Sequence, residues 1–288
     1  MTKAWIEAAR PRTLPASAAP VIAATAYAAH DSLLLWQPAL LCLLFALLAQ
    51  IASNLGNDYF DFKKGTDRPD RTGPQRAVAS GLISPRKMLV ATVIVLAAAC
   101  AVGLGLIYYG GWWLLPIGAC IAIFALAYSA GPYPLSYHGL GDLTVFVFFG
   151  LIPVNLTYYV QAGFFSLPAF LGSISIGLLS INILLINNYR DMEEDAENNK
   201  NTTVVLFGRR FAANWYLING IAAPLFTWHV WCNTPGWRTL LPIIYLAAHI
   251  ATYRALITRK GTALNPLLGR TAANLLLFTF LLVIALTI

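Results

Sequence analysis

Charged residues are scarce in this sequence, and several motifs of soluble enzymes are missing from it. Only 11% of the 288 residues are charged, against about 25% in soluble globular domains, and 58% are hydrophobic. No HExxH, Walker, GxSxG or GxGxxG motif occurs, which argues against metalloprotease, ATPase, serine hydrolase and dinucleotide-binding functions. The short alternating segments of a membrane β-barrel are also missing. An all-α integral membrane protein is therefore predicted.

The four cysteines and four histidines form no recognisable metal or disulfide pattern. The cysteines lie in apolar runs without a CxxC pair, and no two histidines are four residues apart, so neither a disulfide framework nor a zinc site is expected. The net charge of +7 would suggest nucleic-acid binding in a soluble protein. In a membrane protein it is explained by basic cytoplasmic loops, and we predict no nucleic-acid partner.

Nine apolar stretches are separated by polar loops, and most are close to the roughly 20 residues that one membrane-spanning helix requires. They cover residues 13–29, 33–56, 87–108, 112–129, 142–161, 167–187, 211–232, 239–257 and 271–288. The pattern predicts about nine transmembrane helices around a central cavity. We expect one membrane-embedded domain over residues 1–288.

Charged residues are concentrated on alternate loops. Of 19 Lys and Arg, all except Arg238 lie near the N-terminus or near the loops that follow the second, sixth and eighth stretches. The positive-inside rule makes this face cytoplasmic, which predicts an internal N-terminus and an external C-terminus. Of 12 Asp and Glu, only Asp31 lies on the other face. Because carboxylates contribute little to membrane insertion, we infer that a function at the cytoplasmic face requires acids and bases together.

Two acidic clusters occur where apolar stretches meet this face. The first contains Asn57, Asp58 and Asp61, and the second contains Asn187, Asp191 and Asp195. Spacings of three and four residues bring side chains to about 5–6 Å on one helix face. Carboxylates so close repel each other unless a cation lies between them. Oxygen ligands without His or Cys favour Mg²⁺, with Mn²⁺ as a possible substitute.

Clusters that face each other at a cavity mouth would suit a diphosphate bridged by two such ions. Basic residues near the clusters can bind the remaining phosphate oxygens. These are Lys63, Arg71, Arg76 and Lys200. Four further charged residues are interpreted as solvated loop charges: Lys64, Glu193, Glu194 and Glu197.

The clusters also indicate an internal repeat. Each has an Asn four residues before an Asp, at the end of the second and of the sixth stretch. The two clusters are four stretches apart and lie on the same membrane face. This predicts two parallel four-helix units, over about residues 10–130 and 140–257, with an extra helix at 271–288.

Both clusters and their flanking residues resemble the motifs of UbiA-type intramembrane prenyltransferases. Within that family they are most similar to the branch that acts on 1,4-dihydroxy-2-naphthoate. The similar segments extend from Trp5 to about residue 208 and include the stretch from Tyr128 to Asp142. Residues 136–138 are Ser-Tyr-His, where the 4-hydroxybenzoate branch usually has Lys-Arg. Asp67 follows Asp61 by six residues instead of the four usual in the superfamily, which also favours the naphthoate branch.

The resemblance implies a Mg²⁺-dependent enzyme of menaquinone biosynthesis in the bacterial cytoplasmic membrane, in contact with membrane lipid. It would transfer a polyprenyl chain from polyprenyl diphosphate to 1,4-dihydroxy-2-naphthoate, with loss of diphosphate and CO₂, giving a demethylmenaquinone. Two alternatives stay open: a prenyltransferase for 4-hydroxybenzoate or homogentisate, and a secondary transporter. Transporters usually have ionisable residues near the membrane midplane, whereas the apolar stretches here are nearly free of charge.

The resemblance also implies residue roles. Asp58, Asp61, Asp191 and Asp195 would be catalytic and would bind metal together with Asn57, Asn187 and Asp67. Asn54 and Arg10 would join the four basic residues in binding the substrate. Tyr128 and Tyr133 would face the allylic cation, Asp142 would orient the acceptor hydroxyl, and His138 would bind the acceptor carboxylate.

Overall fold

The structure is a computed structural model that describes residues 2–66, 72–131 and 133–288. Its α-helices are α1 Thr2–Ala8, α2 Pro15–His30, α3 Trp36–Lys64, α4 Pro85–Gly110, α5 Leu114–Ala127, α6 Gly141–Phe146, α7 Ile152–Ala162, α8 Leu167–Arg190, α9 Met192–Glu197, α10 Thr203–Phe226, α11 Trp228–Asn233, α12 Leu241–Thr258 and α13 Asn265–Thr287. Across these ranges no β-strand forms, and one isolated bridge joins His138 to Asn201. The all-α prediction is therefore confirmed.

Within the described ranges, six helical segments are long and apolar enough to cross a membrane. They are Trp36–Lys64, Pro85–Gly110, Gly141–Ala162, Leu167–Arg190, Gly236–Thr258 and Gly261–Thr287. The other three predicted stretches coincide with α2, α5 and α10. Of these, α2 and α5 are shorter, and α10 is interrupted at Gly208, where φ is 82°. The protein is thus an integral membrane protein, and the count of nine spans is not confirmed.

Helix α8 packs against five other helices, α2, α6, α7, α10 and α13. It is the most enclosed of the six segments, with 72% of its most apolar window buried. Helices α3 and α4 pack along each other at one side, and α2 packs against α13, so the first long helix contacts the last. Helix α8 is thus enclosed by its neighbours, while α3 and α4 lie outside that group. The two-unit repeat stays a prediction.

A pair of glycines brings α8 close to the helical segment that begins at Gly141. Between α6 and α7 this segment forms one π-helical turn, Val147–Leu151. A Cβ atom on Gly150 in that turn would lie 2.5 Å from the Gly177 Cα atom of α8. Two glycines therefore allow direct backbone contact, as small residues do between membrane helices. The contact holds the segment Gly141–Ala162, which includes Asp142 near its start, against α8.

Both acidic clusters keep their helical spacing. Helix α3 continues through the first cluster to Lys64 and ends at Gly65, which adopts the left-handed conformation at φ 74°. At the second cluster α8 ends and α9 begins, with Asp191 between them. Backbone hydrogen bonds of 2.9 Å from Asp191 to Asn187 and of 2.8 Å from Asp195 to Asp191 preserve the four-residue spacing. The helix therefore continues through the first cluster, whereas at the second cluster it is interrupted at Asp191.

Candidate active site

The ends of α3 and α8 line the same polar cavity, of about 530 Å³. Its lining includes the predicted residues Asn57, Asp58, Asp61, Asn187, Asp191, Asp195, Arg10, Arg76, Lys200 and Tyr128. Thus the structure brings together both acidic clusters, which are far apart in sequence, and several cationic side chains. Such a cavity can hold an anion, with or without metal ions.

A second cavity, of about 340 Å³, has an almost entirely apolar lining. Residues of α2, α3, α4, α5 and α7 contribute to it, together with residues of the π-helical turn. Tyr128 lines both cavities. A ligand with an anionic head and an apolar chain can therefore occupy both, with its junction near Tyr128.

Tyr128 lies one residue beyond the end of α5 and is held by its backbone. Its carbonyl oxygen accepts hydrogen bonds from the Ser136 hydroxyl at 2.7 Å and from the Ser136 amide at 3.1 Å. Burial, reinforced by the negative charge of Asp142, raises the pKa of the Tyr128 phenol above its ordinary value. The phenol therefore stays protonated at neutral pH, which leaves it a hydrogen-bond donor between the two cavities.

The residues of the first cluster have different surroundings. Asp58 is 2% exposed, and its carboxylate oxygens accept hydrogen bonds from the backbone amides of Ala77 and Val78, each at 3.1 Å. Asp61 is half-buried, and its Oδ1 accepts a hydrogen bond from the Tyr137 hydroxyl at 3.3 Å. Asp58 therefore anchors the segment at residues 77–78, while the Asp61 carboxylate contacts Tyr137; both acids line the polar cavity.

The second cluster is tightly paired with cations. Arg190 donates to both carboxylate oxygens of Asp191, at 2.5 Å and 2.7 Å, and their side chains are 2% and 11% exposed. Lys200 donates to Asp195 Oδ1 at 3.1 Å. Asp191 and Asp195 therefore each form an ion pair at the cavity wall.

The segment that follows α3 is attached to the second cluster. Glu194 accepts a hydrogen bond from the Thr72 amide at 2.5 Å, and the Thr72 carbonyl accepts one from Asn265 at 3.2 Å. Asn265 in turn accepts a hydrogen bond from Arg190 at 3.2 Å. Glu194 also lines the polar cavity. The interpretation of Glu194 as a solvated loop charge was therefore wrong, because a distant segment covers it.

Glu193 and Lys64, which were also interpreted as solvated loop charges, have partners as well. Glu193 forms a two-point ion pair with Arg209, at 2.5 Å and 2.6 Å, and this hydrogen bonding lowers the pKa of Glu193. The Lys64 ammonium donates to the Ser129 carbonyl at 2.6 Å. Both side chains are nevertheless exposed, so the structure does not contradict their interpretation as solvated charges.

Several predicted site residues lie outside the polar lining. Asn54 is buried and donates to the Ala9 carbonyl at 2.9 Å and to the Thr13 hydroxyl at 3.2 Å, so it holds the backbone on either side of Arg10. Lys63 is exposed at the end of α3. Asp67 and Arg71 lie outside the described residues. Substrate contact by Asn54 and Lys63 stays a prediction.

Tyr133, His138 and Asp142 are also absent from that lining. Tyr133 is exposed and stacks on the His138 ring with centroids 3.5 Å apart, while His138 Nδ1 is 2.9 Å from the Pro134 carbonyl. Asp142 Oδ2 accepts a hydrogen bond from the Thr203 hydroxyl at 3.0 Å. Their predicted contacts with the acceptor stay predictions.

Three residues that line the cavity beside the first cluster were not predicted from the sequence. The Ser129 hydroxyl donates to Asn57 Oδ1 at 2.6 Å, and Tyr137 and Thr66 contact each other at 3.0 Å. Ser129 and Tyr137 belong to the segment 128–142 that matched a family motif, so that match was the available signal. No spacing in the sequence predicts that these residues contact the first cluster.

The polar lining fits Mg²⁺ bound together with a phosphate ligand. In the part of the chain that the structure describes, no three His, Cys, Asp or Glu side chains are grouped as a complete metal site. Mg²⁺ is commonly held by one or two carboxylates, substrate phosphates and water. Asp61, Asp191 and Asp195 provide carboxylates on one cavity, and no soft ligand accompanies them. This donor chemistry suits a hard divalent ion.

Known proteins share much of this sequence. The profile of the UbiA prenyltransferase family matches residues 17–268. The chain is 37% identical to the 1,4-dihydroxy-2-naphthoate octaprenyltransferase of Escherichia coli K12, over 98% of this chain and 94% of that protein. It is 35% identical to the enzyme of the same name from Mycobacterium leprae, over 99% of this chain and 96% of that protein.

Solved structures share the fold. A UbiA homologue from Archaeoglobus fulgidus, bound to DMAPP and Mg²⁺, aligns with a TM-score of 0.68 and 16% identity, over 99% of each chain. A homologue from Aeropyrum pernix K1 aligns with a TM-score of 0.67 and 15% identity, over 92% of this chain and 97% of that one. The family profile, the relatives and the common fold all lead to the same assignment: this chain belongs to the UbiA prenyltransferase family.

Proposed function

We propose that this protein transfers a polyprenyl chain from polyprenyl diphosphate to 1,4-dihydroxy-2-naphthoate in menaquinone biosynthesis. The observation that carries the proposal is the meeting of two acidic helix ends in one polar cavity that adjoins an apolar cavity at Tyr128. The names of the E. coli and M. leprae relatives support the naphthoate acceptor.

In this proposal the polar cavity binds the diphosphate. Lys200, Arg76 and Arg10 line it and supply charge-assisted hydrogen bonds to phosphate oxygens. Asp61, Asp191 and Asp195 hold Mg²⁺, which when bound supplies positive charge that stabilises the departing diphosphate. Use of Mg²⁺ by a relative is consistent with this arrangement, since the A. fulgidus homologue was solved with that ion.

The reaction breaks the bond between prenyl C1 and the diphosphate oxygen, and the electron pair leaves with the diphosphate. An electron-rich carbon of the naphthoate ring then bonds to C1, and the carboxylate leaves as CO₂. The allylic cation develops where the two cavities meet, so the Tyr128 ring is placed to stabilise it. The apolar cavity also excludes water, which would otherwise capture the cation.

Mass spectrometry of the products tests the proposal. Purified protein is given Mg²⁺, a mixture of prenyl diphosphates and one acceptor at a time: dihydroxynaphthoate, 4-hydroxybenzoate or homogentisate. We expect a prenylated, decarboxylated product from dihydroxynaphthoate, lost with EDTA and restored by excess Mg²⁺. A product from another acceptor alone would contradict the acceptor, and solute uptake into liposomes without prenyl turnover would indicate a transporter.

A further inference from the structure

Tyr137 connects the segments of the two acidic clusters. It lies in the loop between α5 and α6 and lines the polar cavity. Its backbone carbonyl accepts a hydrogen bond from the Asn201 amide at 3.1 Å, one residue after Lys200. The adjacent residue His138 forms the isolated bridge with Asn201. The loop is thus attached to the second-cluster segment, while the Tyr137 side chain reaches the first cluster.

The hydroxyl of Tyr137 is directed at Asp61. It lies 3.3 Å from Asp61 Oδ1 and 3.0 Å from the Thr66 hydroxyl, which is itself 3.1 Å from the Asp61 carbonyl. The carboxylate is the strongest of these acceptors, because hydrogen bonds to ionised groups are the stronger ones. The Tyr137 hydrogen therefore goes to Asp61, and the Thr66 hydrogen to the phenol oxygen or the carbonyl.

The ring of Tyr137 contacts one basic residue from each cluster. The Lys64 ammonium is 4.6 Å from the ring centroid, and the Lys200 ammonium is 6.0 Å from it. Both distances are within the reach of cation–π attraction, about 6 Å. Lys200 also pairs with Asp195 at 3.1 Å. One aromatic side chain therefore orients a carboxylate of the first cluster and a lysine of the second.

A tyrosine suits this position better than a charged residue. A carboxylate here would attract both lysines but would compete with Asp61 for a cation. A lysine or arginine would pair with Asp61 but repel Lys64 and Lys200. The phenol donates to the acid and presents a negative π face to the bases without adding net charge.

We propose that Tyr137 is a positioning residue for the bound metal–diphosphate. Its hydroxyl sets the orientation of the Asp61 carboxylate, and its ring sets the position of Lys200. The inference rests on the proposed function only in taking a prenyl diphosphate as the ligand. It is independent of which aromatic acceptor is used.

Metal binding without turnover tests the inference. Full-length protein in detergent is titrated with Mn²⁺ in the presence of geranyl S-thiolodiphosphate, an analogue that ionises poorly, and free Mn²⁺ is measured by electron paramagnetic resonance. Tyr137→Phe removes one hydrogen bond of about 1 kcal/mol, so we expect Mn²⁺ to bind about fivefold more weakly. Affinity for the analogue at saturating Mn²⁺ should change less, because the ring is retained.

Tyr137→Leu removes the ring as well and should weaken binding of both Mn²⁺ and the analogue. Tyr108→Phe is the matched control, since Tyr108 is 87% exposed on α4, outside both cavity linings. Wild-type affinities in both Tyr137 variants would overturn the inference. A Tyr137→Phe variant that loses affinity for Mn²⁺ and for the analogue equally, and also has a lowered melting temperature, would overturn it as well. If Tyr137→Leu does not fold, Tyr137→Phe alone tests the inference.

Wild-type protein that binds Mn²⁺ and the analogue but does not prenylate dihydroxynaphthoate would contradict the proposed acceptor, not this inference.

Discussion

Asp58 and Asp61 lie three residues apart on α3, yet they have different partners. The Asp58 carboxylate is buried and accepts two backbone hydrogen bonds from residues 77–78. The Asp61 carboxylate is half-buried and contacts Tyr137 in the polar cavity. At the scale of residues, one acid holds a backbone segment in place, and the other contacts a side chain of the polar cavity. Substitutions should separate these roles.

Asp61→Asn should reduce turnover more than a hundredfold, because it removes a negative charge from the polar cavity. It should change stability little, because substitutions at partly exposed sites usually change it by about 0.5 kcal/mol or less. Asp58→Ala should lower the melting temperature, since it leaves two buried amides without acceptors, at about 1–3 kcal/mol each. Thermal unfolding in detergent and turnover are measured for both variants, and each serves as the control for the other. Wild-type stability of Asp58→Ala, or full activity of Asp61→Asn, would contradict the division of roles.

At the scale of elements, the site depends on how closely α8 approaches the segment from Gly141 to Ala162. The contact between Gly150 and Gly177 holds the π-helical turn against α8. Thr144, Phe148 and Phe149 of the same segment line the apolar cavity. The distance between these helices therefore affects the shape of the apolar cavity as well as the packing.

Gly177→Ala should destabilise the protein and reduce turnover. The new Cβ atom would lie 2.7 Å from the Phe146 ring and 3.0 Å from the Phe146 carbonyl, so the helices must separate. Overpacking of this kind typically costs about 1–3 kcal/mol. Gly269→Ala in α13 is the matched control, because no atom outside its own helix lies within 4 Å of its added Cβ. Equal melting temperatures for the two variants would show that the close contact is unimportant.

At the scale of the whole molecule, the polar cavity lies at one end of the bundle, where α3 and α8 end. Apart from Arg238, the basic residues fall in the segments assigned to that face by sequence. Near the start of α5 and the end of α7, aromatic residues form a cluster of Trp113, Tyr159 and Phe165. Such rings are typical of a membrane–water interface. We therefore propose that the cavity opens to the cytoplasm.

Reporter fusions test this orientation and the span count. Alkaline phosphatase fused after Ile288 should be active, because nine spans would place the C-terminus outside the cytoplasm. Fusion after Gly163 is the positive control and fusion after Asn199 the negative one, since the predicted topology places these loops outside and inside. An inactive C-terminal fusion with an active Gly163 fusion would mean an odd number of crossings between them instead of the predicted four, and the nine-span prediction would be wrong.

Local patterns were sufficient for the fold class and for the spacing of the acids. Apolar runs predicted helices, and four-residue spacing placed Asn187, Asp191 and Asp195 on one face, because helix geometry depends only on near neighbours. Hydropathy could not decide the span count, since α2 and α5 are short and the stretch 211–232 is divided between α10 and α11. Family motifs further indicated the chemistry.

The partners of each acid were decided by the tertiary structure. The sequence alone established an all-α membrane protein with two acidic clusters and, through its motifs, the family. Only the packed helices showed that Asp58 anchors residues 77–78, that Glu194 holds Thr72, and that Tyr137 connects Asp61 with Lys200. The physical reason is that each of these contacts joins residues far apart in the chain, so whether a charge is solvated depends on which helices pack beside it.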